Sequence, residues 1–164
     1  MSTTLVAFFS PTGTTARAAL ALADTLGADT FEIKPQQPYT AADLDWRDEA
    51  SRTSVEKRDE TARPTIVGTM THMDRYDTVF VGFPIWWYVE PRIIDTFLET
   101  YNFTGKTVIP FATSGGSGLG QAPARMQSII PGARVLPGKM LNGAFDADSL
   151  RAWADDLGCC GSAE

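Results

Sequence analysis

Leu5-Val6-Ala7-Phe8-Phe9-Ser10-Pro11-Thr12-Gly13-Thr14-Thr15 decides the fold. Its first five residues form an unbroken apolar run, expected of a strand buried on both faces. An alanine-rich helical pattern follows Thr15, with Ala16, Ala19, Leu20, Ala23 and Leu26 at helical spacing and Gly27 placed to end it. The stretch therefore joins a central strand to a helix N-terminus. The first N–H groups of a helix have no intrahelical partner and the helix dipole is positive there, so an anion can sit in such a loop without a lysine. Ser10, Thr12, Thr14 and Thr15 add hydroxyl donors, and Gly13 lets the backbone adopt positive φ and approach a ligand closely. One N-cap would need one hydroxyl, whereas this loop has four. Neither G-x-x-x-x-G-K-[ST] nor G-x-G-x-x-G is present here, and Arg17 lies inside the helix, so a monophosphate fits better than a diphosphate.

Two later strands open into loops of a similar kind. Thr78 to Phe83 is the clearest apolar strand, and the chain then breaks into Pro84, Ile85, Trp86, Trp87 and Tyr88. In open α/β sheets ligands bind beyond the carboxyl ends of the strands, and flat indole rings suit a flat ring system. Adjacent residues cannot both point into one core, so one of Trp86 and Trp87 is expected on the loop surface. Lys106 to Phe111 is a further strand, leading into Ala112-Thr113-Ser114-Gly115-Gly116-Ser117-Gly118-Leu119-Gly120. So many glycines are expected where backbone passes closely over something planar or offers its N–H groups. A flexible linker is the alternative, but there is no second domain to link.

Between and after these loops, Thr30 to Ile33 reads as a second strand stopped by Pro35 and Pro38, giving a first β-α-β unit. Tyr39 to Pro64 reads as a solvated helix plus loop, with a Thr40/Asp43 capping box; the alternative is a flap from which Trp46 or Arg47 reaches the ligand. Pro91, Ile93, Ile94, Phe97, Leu98 and Tyr101 mark a packing helix, Met126, Ile129 and Ile130 another. Ala133 to Leu136 begins a fifth strand, and Asp146 caps a last helix striped by Leu150, Trp153, Ala154 and Leu157.

Together the three loops resemble, in order, the phosphate, tryptophan and glycine loops of the flavodoxin-like family, closest to its short members with a Trp-Trp second loop. The likeness spans nearly the whole chain. It implies an α/β fold with a doubly wound five-stranded parallel sheet, order 2-1-3-4-5, helices on both faces, and FMN as cofactor. By the same likeness Ser10, Thr12, Gly13, Thr14 and Thr15 would hold phosphate, and Pro84, Ile85, Trp86 and Trp87 the ring. Thr113, Ser114, Gly115, Gly116 and Gly118 would complete the site. No catalytic acid or nucleophile is required, because the flavin carries the chemistry. The implied function is electron transfer through a non-covalent flavin, with a redox partner protein or a small-molecule acceptor. The third loop departs from the acidic, aromatic-containing loop of electron-carrying flavodoxins. Its small neutral residues keep open two alternatives: an NAD(P)H-dependent FMN reductase acting on a quinone or similar acceptor, and a flavin-binding protein without turnover.

Length and composition agree. The chain of 164 residues suits one domain, taken as 1–158 with a frayed 159–164 tail. Its net charge of −6 argues against a nucleic-acid or membrane-surface partner, and acidic electron carriers tolerate such a charge. No apolar stretch approaches bilayer length and no signal-peptide pattern is seen, so a cytoplasmic location is expected. Cys159 and Cys160 are adjacent and form no C-x-x-C pair, and the single His72 has no cysteine or other histidine near it in sequence, so no metal site is expected there.

Overall fold

A computed structural model describes residues 4–11, 13–45, 47–59, 61–85, 90–113, 119–141 and 146–157. Its centre is a parallel sheet. Strand β1 (Thr4–Phe8) lies between β2 (Asp29–Glu32) and β5 (Thr78–Pro84), and β6 (Thr107–Thr113) pairs with β5 on its other side. The outer position beyond β6 is filled by two short pieces, β7 (Arg134–Val135) and β8 (Lys139–Met140), both parallel to it. The order β2-β1-β5-β6-β7 is the expected 2-1-3-4-5 path. Its fifth strand is divided. Register advances from Val108↔Val135 to Phe111↔Lys139, which inserts one extra residue on the outer strand where Pro137 cannot donate to the ladder.

Alternate residues of the strands enter two cores. On one face, Val6, Phe8, Phe80, Ile109 and Phe111 pack with α1 (Thr14–Leu26) and Leu150 of α5 (Ala147–Asp156). On the other, Leu5, Ala7, Val79, Val81, Phe83 and Val108 meet α3 (Arg92–Thr100) and α4 (Ala122–Ile129). In α1 the buried stripe is Thr15, Ala18, Ala19, Leu22 and Ala23, and Leu20 is 53% exposed. The expected stripe was therefore rotated: Ala16 and Leu20 do not lead it. Small residues at 18, 19 and 23 let the helix lie close on the sheet. Gly27 ends α1 in the left-handed region, and Asp146 with Ser149 forms a capping box on α5.

The segment after β2 is more ordered than a solvated helix and loop. Its ends are tied by a two-residue antiparallel ladder between β3 (Lys34–Pro35) and β4 (Ile66–Val67). Thr40 and Asp43 do exchange N–H bonds at 3.0 and 3.1 Å, but they close a turn rather than start a helix, since no apolar stripe follows to prolong it. The helix forms later as α2 (Arg52–Arg58), capped by Ser51. Trp46 lies outside the described residues. Among those described, no helix is long and apolar enough to cross a membrane.

Candidate functional site

Because the central strands are parallel, the ends of β1, β5 and β6 reach the same edge of the sheet. Register places Phe8 beside Gly82 and Pro84 beside Thr113, so the strand ends from which the three loops leave are neighbours. The ladder continues past the strands: Phe9 N–H donates to Gly82 O at 2.9 Å, and Ile85 N–H to Thr113 O at 2.9 Å.

The first loop turns into α1 through Gly13, whose φ of 91° is left-handed and whose missing Cβ leaves open space around it. A glycine N-cap has no side chain to accept from the helix. Ser10 does so instead, its Oγ accepting from Ala16 N at 2.9 Å. The first intrahelical bond runs from Arg17 N to Gly13 O, so the N–H groups of Thr14 and Thr15 precede any intrahelical acceptor. Thr14 is exposed. Thr15 is buried, and its hydroxyl pairs with that of Thr113, also buried, at 2.8 Å. The start of α1 is thereby joined to the end of β6, and the first loop to the third. A net worth of about 0.5–1.5 kcal/mol is typical for such a bond, and leaving one partner alone costs more.

Of the residues singled out in the sequence, Ser10, Gly13, Thr14, Thr15, Pro84, Ile85 and Thr113 are brought to this one edge. Thr12, Trp86, Trp87, Ser114, Gly115, Gly116 and Gly118 lie outside the described residues. Arg47 is exposed, in the segment between β3 and β4, and His72 is exposed, just before a 3-10 turn. No metal-holding group of His, Cys, Asp and Glu occurs among the described residues.

A cavity of about 380 Å³ opens next to the first loop, lined by Phe9, Ser10, Pro11, Ile33, Tyr39 and Val67 among others. Its Tyr39 is held from the flanking segment. The Tyr39 hydroxyl donates to Glu56 Oε1 at 2.6 Å and Arg52 covers the ring at 3.8 Å. Burial first, then the Glu56 contact, pushes the phenol well above its ordinary pKa, so it stays a donor. A larger groove of about 570 Å³ is lined wholly by residues 36–65 and carries none of the expected ligand residues.

Sequence reading missed a buried polar cluster at the start of α3. Glu90, Arg92 and Asp95 are all buried there, with Arg125 of α4 against them. The only sequence signal is an opposite-charge pair at i,i+3, which surface helices also show.

The sequence model of the flavodoxin family matches residues 3–157. A protein from Bacteroides uniformis ATCC 8492, provisionally classed as a flavoprotein, is 49% identical; the match covers 93% of this chain and 97% of that one, with a TM-score of 0.88. A second such protein, from Bacteroides eggerthii DSM 20697, is 46% identical over 94% of this chain and 97% of that one, also at 0.88. A flavoprotein from Lactobacillus acidophilus NCFM, solved in complex with FMN, is 19% identical at a TM-score of 0.69, covering 92% and 97% of the two chains; that likeness is one of fold. No curated protein matches the chain.

Proposed function

Since the chain belongs to the flavodoxin family, we propose that it is a redox protein transferring electrons through non-covalently bound FMN. One observation supports this reading: the registers Phe8↔Gly82 and Pro84↔Thr113 set side by side the strand ends that lead into the three ligand-type loops. The residues there fit the group. Ser10, Thr12, Gly13, Thr14 and Thr15 would hold the phosphate, at a helix N-terminus whose glycine cap puts no Cβ in its path. Pro84, Ile85, Trp86 and Trp87 would flank the ring, and Thr113, Ser114, Gly115, Gly116 and Gly118 its polar edge. The flavin, when bound, supplies one- and two-electron chemistry. The chain orients it, excludes water, and withholds positive charge from the ring side of the site, which disfavours an anionic reduced flavin and makes a stronger reductant.

Titration of the protein, stripped of cofactor, with FMN tests the reading. Stoichiometric quenching of flavin fluorescence is expected, and absence of binding overturns it. Thr14→Ala should weaken binding by about 1.5–3 kcal/mol, the usual worth of a hydrogen bond to a charged group. The small neutral third loop favours a second reading, direct reaction of the flavin with NAD(P)H and a quinone-like acceptor. Rapid flavin reduction by NADPH alone would select that reductase; reduction only in the presence of a partner reductase would select the carrier.

A further inference from the structure

Glu90, Arg92 and Asp95 are the only Asp, Glu, Lys or Arg side chains buried among the described residues, and they form one cluster. It sits at the N-terminus of α3, which follows β5, and so at the ligand edge of the sheet. Arg92 reaches outward: its Nε and Nη2 donate to the carbonyls of Glu56 and Lys57 at 3.1 and 2.7 Å, holding the C-terminal end of α2. Its Nη1 lies 3.6 Å from Asp95 Oδ2. Arg125 of α4 lies 3.4 Å from Glu90 Oε2 and 3.7 Å from Asp95 Oδ2. Arg63, from the segment before β4, lies 3.9 Å from Asp95 but donates to Glu99, at 3.0 and 2.9 Å, and to the Ala62 carbonyl at 2.8 Å. The exposed Asp59 also faces Arg92 and Arg63.

Three guanidiniums thus surround Asp95 at 3.6 to 3.9 Å, close enough to stabilise charge but beyond hydrogen-bond length. With both acids ionised, Glu90 Oε1 and both oxygens of Asp95 have no donor within hydrogen-bond distance, and Arg92 Nη1, 3.6 Å from Asp95 Oδ2, has no acceptor, although the two carboxyl groups act on one another. Buried acceptors without a donor, in a pair of interacting like charges, are a combination that folding avoids. A single hydrogen between the two pairs Glu90 with one oxygen of Asp95 and leaves the other to the surrounding guanidiniums. It gives Asp95 a donor and removes the repulsion.

We propose that Glu90 and Asp95 form a built-in proton site, in which the Glu90 carboxyl donates to Asp95 and clasps α2, α3 and α4 together at the ligand edge. Burial is the main influence on Glu90, its contact with Asp95 the next, and together they push its pKa up to about 9 against the opposing pull of Arg125. The ordinary value, which the unfolded chain approaches, is 4.5. Between these values the folded protein holds one proton more than the unfolded one. The clasp's stabilisation is therefore complete below 4.5 and is lost as pH rises to about 9.

Unfolding by urea, measured from pH 5 to 9 on the cofactor-free protein and on Glu90→Gln, tests the proposal independently of flavin binding. Gln keeps a donor toward Asp95 but has no proton to lose. The folded-to-unfolded ratio of the wild type should fall relative to that of Glu90→Gln by about tenfold per pH unit. Parallel profiles would overturn the proposal. Infrared difference spectra of the wild type need no variant: a protonated carboxyl band present at pH 7 should vanish as pH rises through about 9 and be missing from Glu90→Gln. No such band at pH 7 would overturn the proposal even if Glu90→Gln failed to fold.

Discussion

The two faces of the sheet are built by different means. Toward α1 and α5 the interior is Val6, Phe8, Ala18, Ala19, Leu22, Phe80, Ile109, Phe111 and Leu150, and no charged side chain among the described residues is buried there. Toward α3 and α4 the apolar core is larger, yet Glu90, Arg92 and Asp95 are enclosed at its ligand-side end. The first face is filled by apolar volume and encloses no charge among the described residues. The second ties three helices and the segment before β4 through charges whose removal one at a time leaves others uncompensated.

The largest expected effect follows from that difference. Asp95→Ala leaves Arg92, Arg125 and Glu90 around an empty position, and breaking a buried charged set in this way typically costs about 3–5 kcal/mol. Urea unfolding at neutral pH measures it. A loss below about 1 kcal/mol would place the cluster with surface ion pairs and erase the contrast between the faces.

The sequence carried the alternation of strands and helices because long apolar strands and striped helices bury area that hydropathy registers directly. Phe80 and Phe111 lie in such strands, and Ile93, Ile94, Phe97 and Leu98 in such a helix. The stripe of α1 was displaced because alanines look alike on every side, and only contact with the sheet separates Ala18 from Ala16. The divided fifth strand was legible only at its start. Lys139–Met140 is two residues long and owes its pairing to β6 rather than to its own pattern. Of the candidate site, the first loop was legible in its hydroxyls and glycine, whereas the exchange of roles between Gly13 and Ser10 was not, since Ser10 reaches Ala16 across five intervening residues. The buried charges were hidden for a physical reason. An acid in the first turn of a helix ordinarily answers the dipole in solvent, so Asp95 carries no mark of burial until α4 and Arg63 are placed against it.

The hydroxyl pair Thr15–Thr113 is the polar element that the first face does possess, and it sharpens the comparison. Thr15→Val or Thr113→Val alone leaves the other buried hydroxyl unpaired, at an expected cost of about 1–3 kcal/mol each. The double variant should cost less than the sum, since two methyl groups then meet. A double-mutant cycle by urea unfolding reads the coupling; strict additivity would mean that the two loops are not joined through this bond.

The smallest effects test whether the apolar parts of the two faces are alike. Ile109 lies on the α1/α5 face and Ile94 on the α3/α4 face, and both are fully buried. Trimming either to Val removes one methylene group and should cost about 0.5–1.5 kcal/mol. Equal losses would mean that both cores are packed to the same standard, so that the contrast between the faces comes from Glu90, Arg92 and Asp95 alone. A distinctly smaller loss for Ile94→Val would mean that the α3 side relaxes into the space. The charged clasp would then be holding a looser core together, and Asp95→Ala should bring a loss of cooperativity as well as of stability.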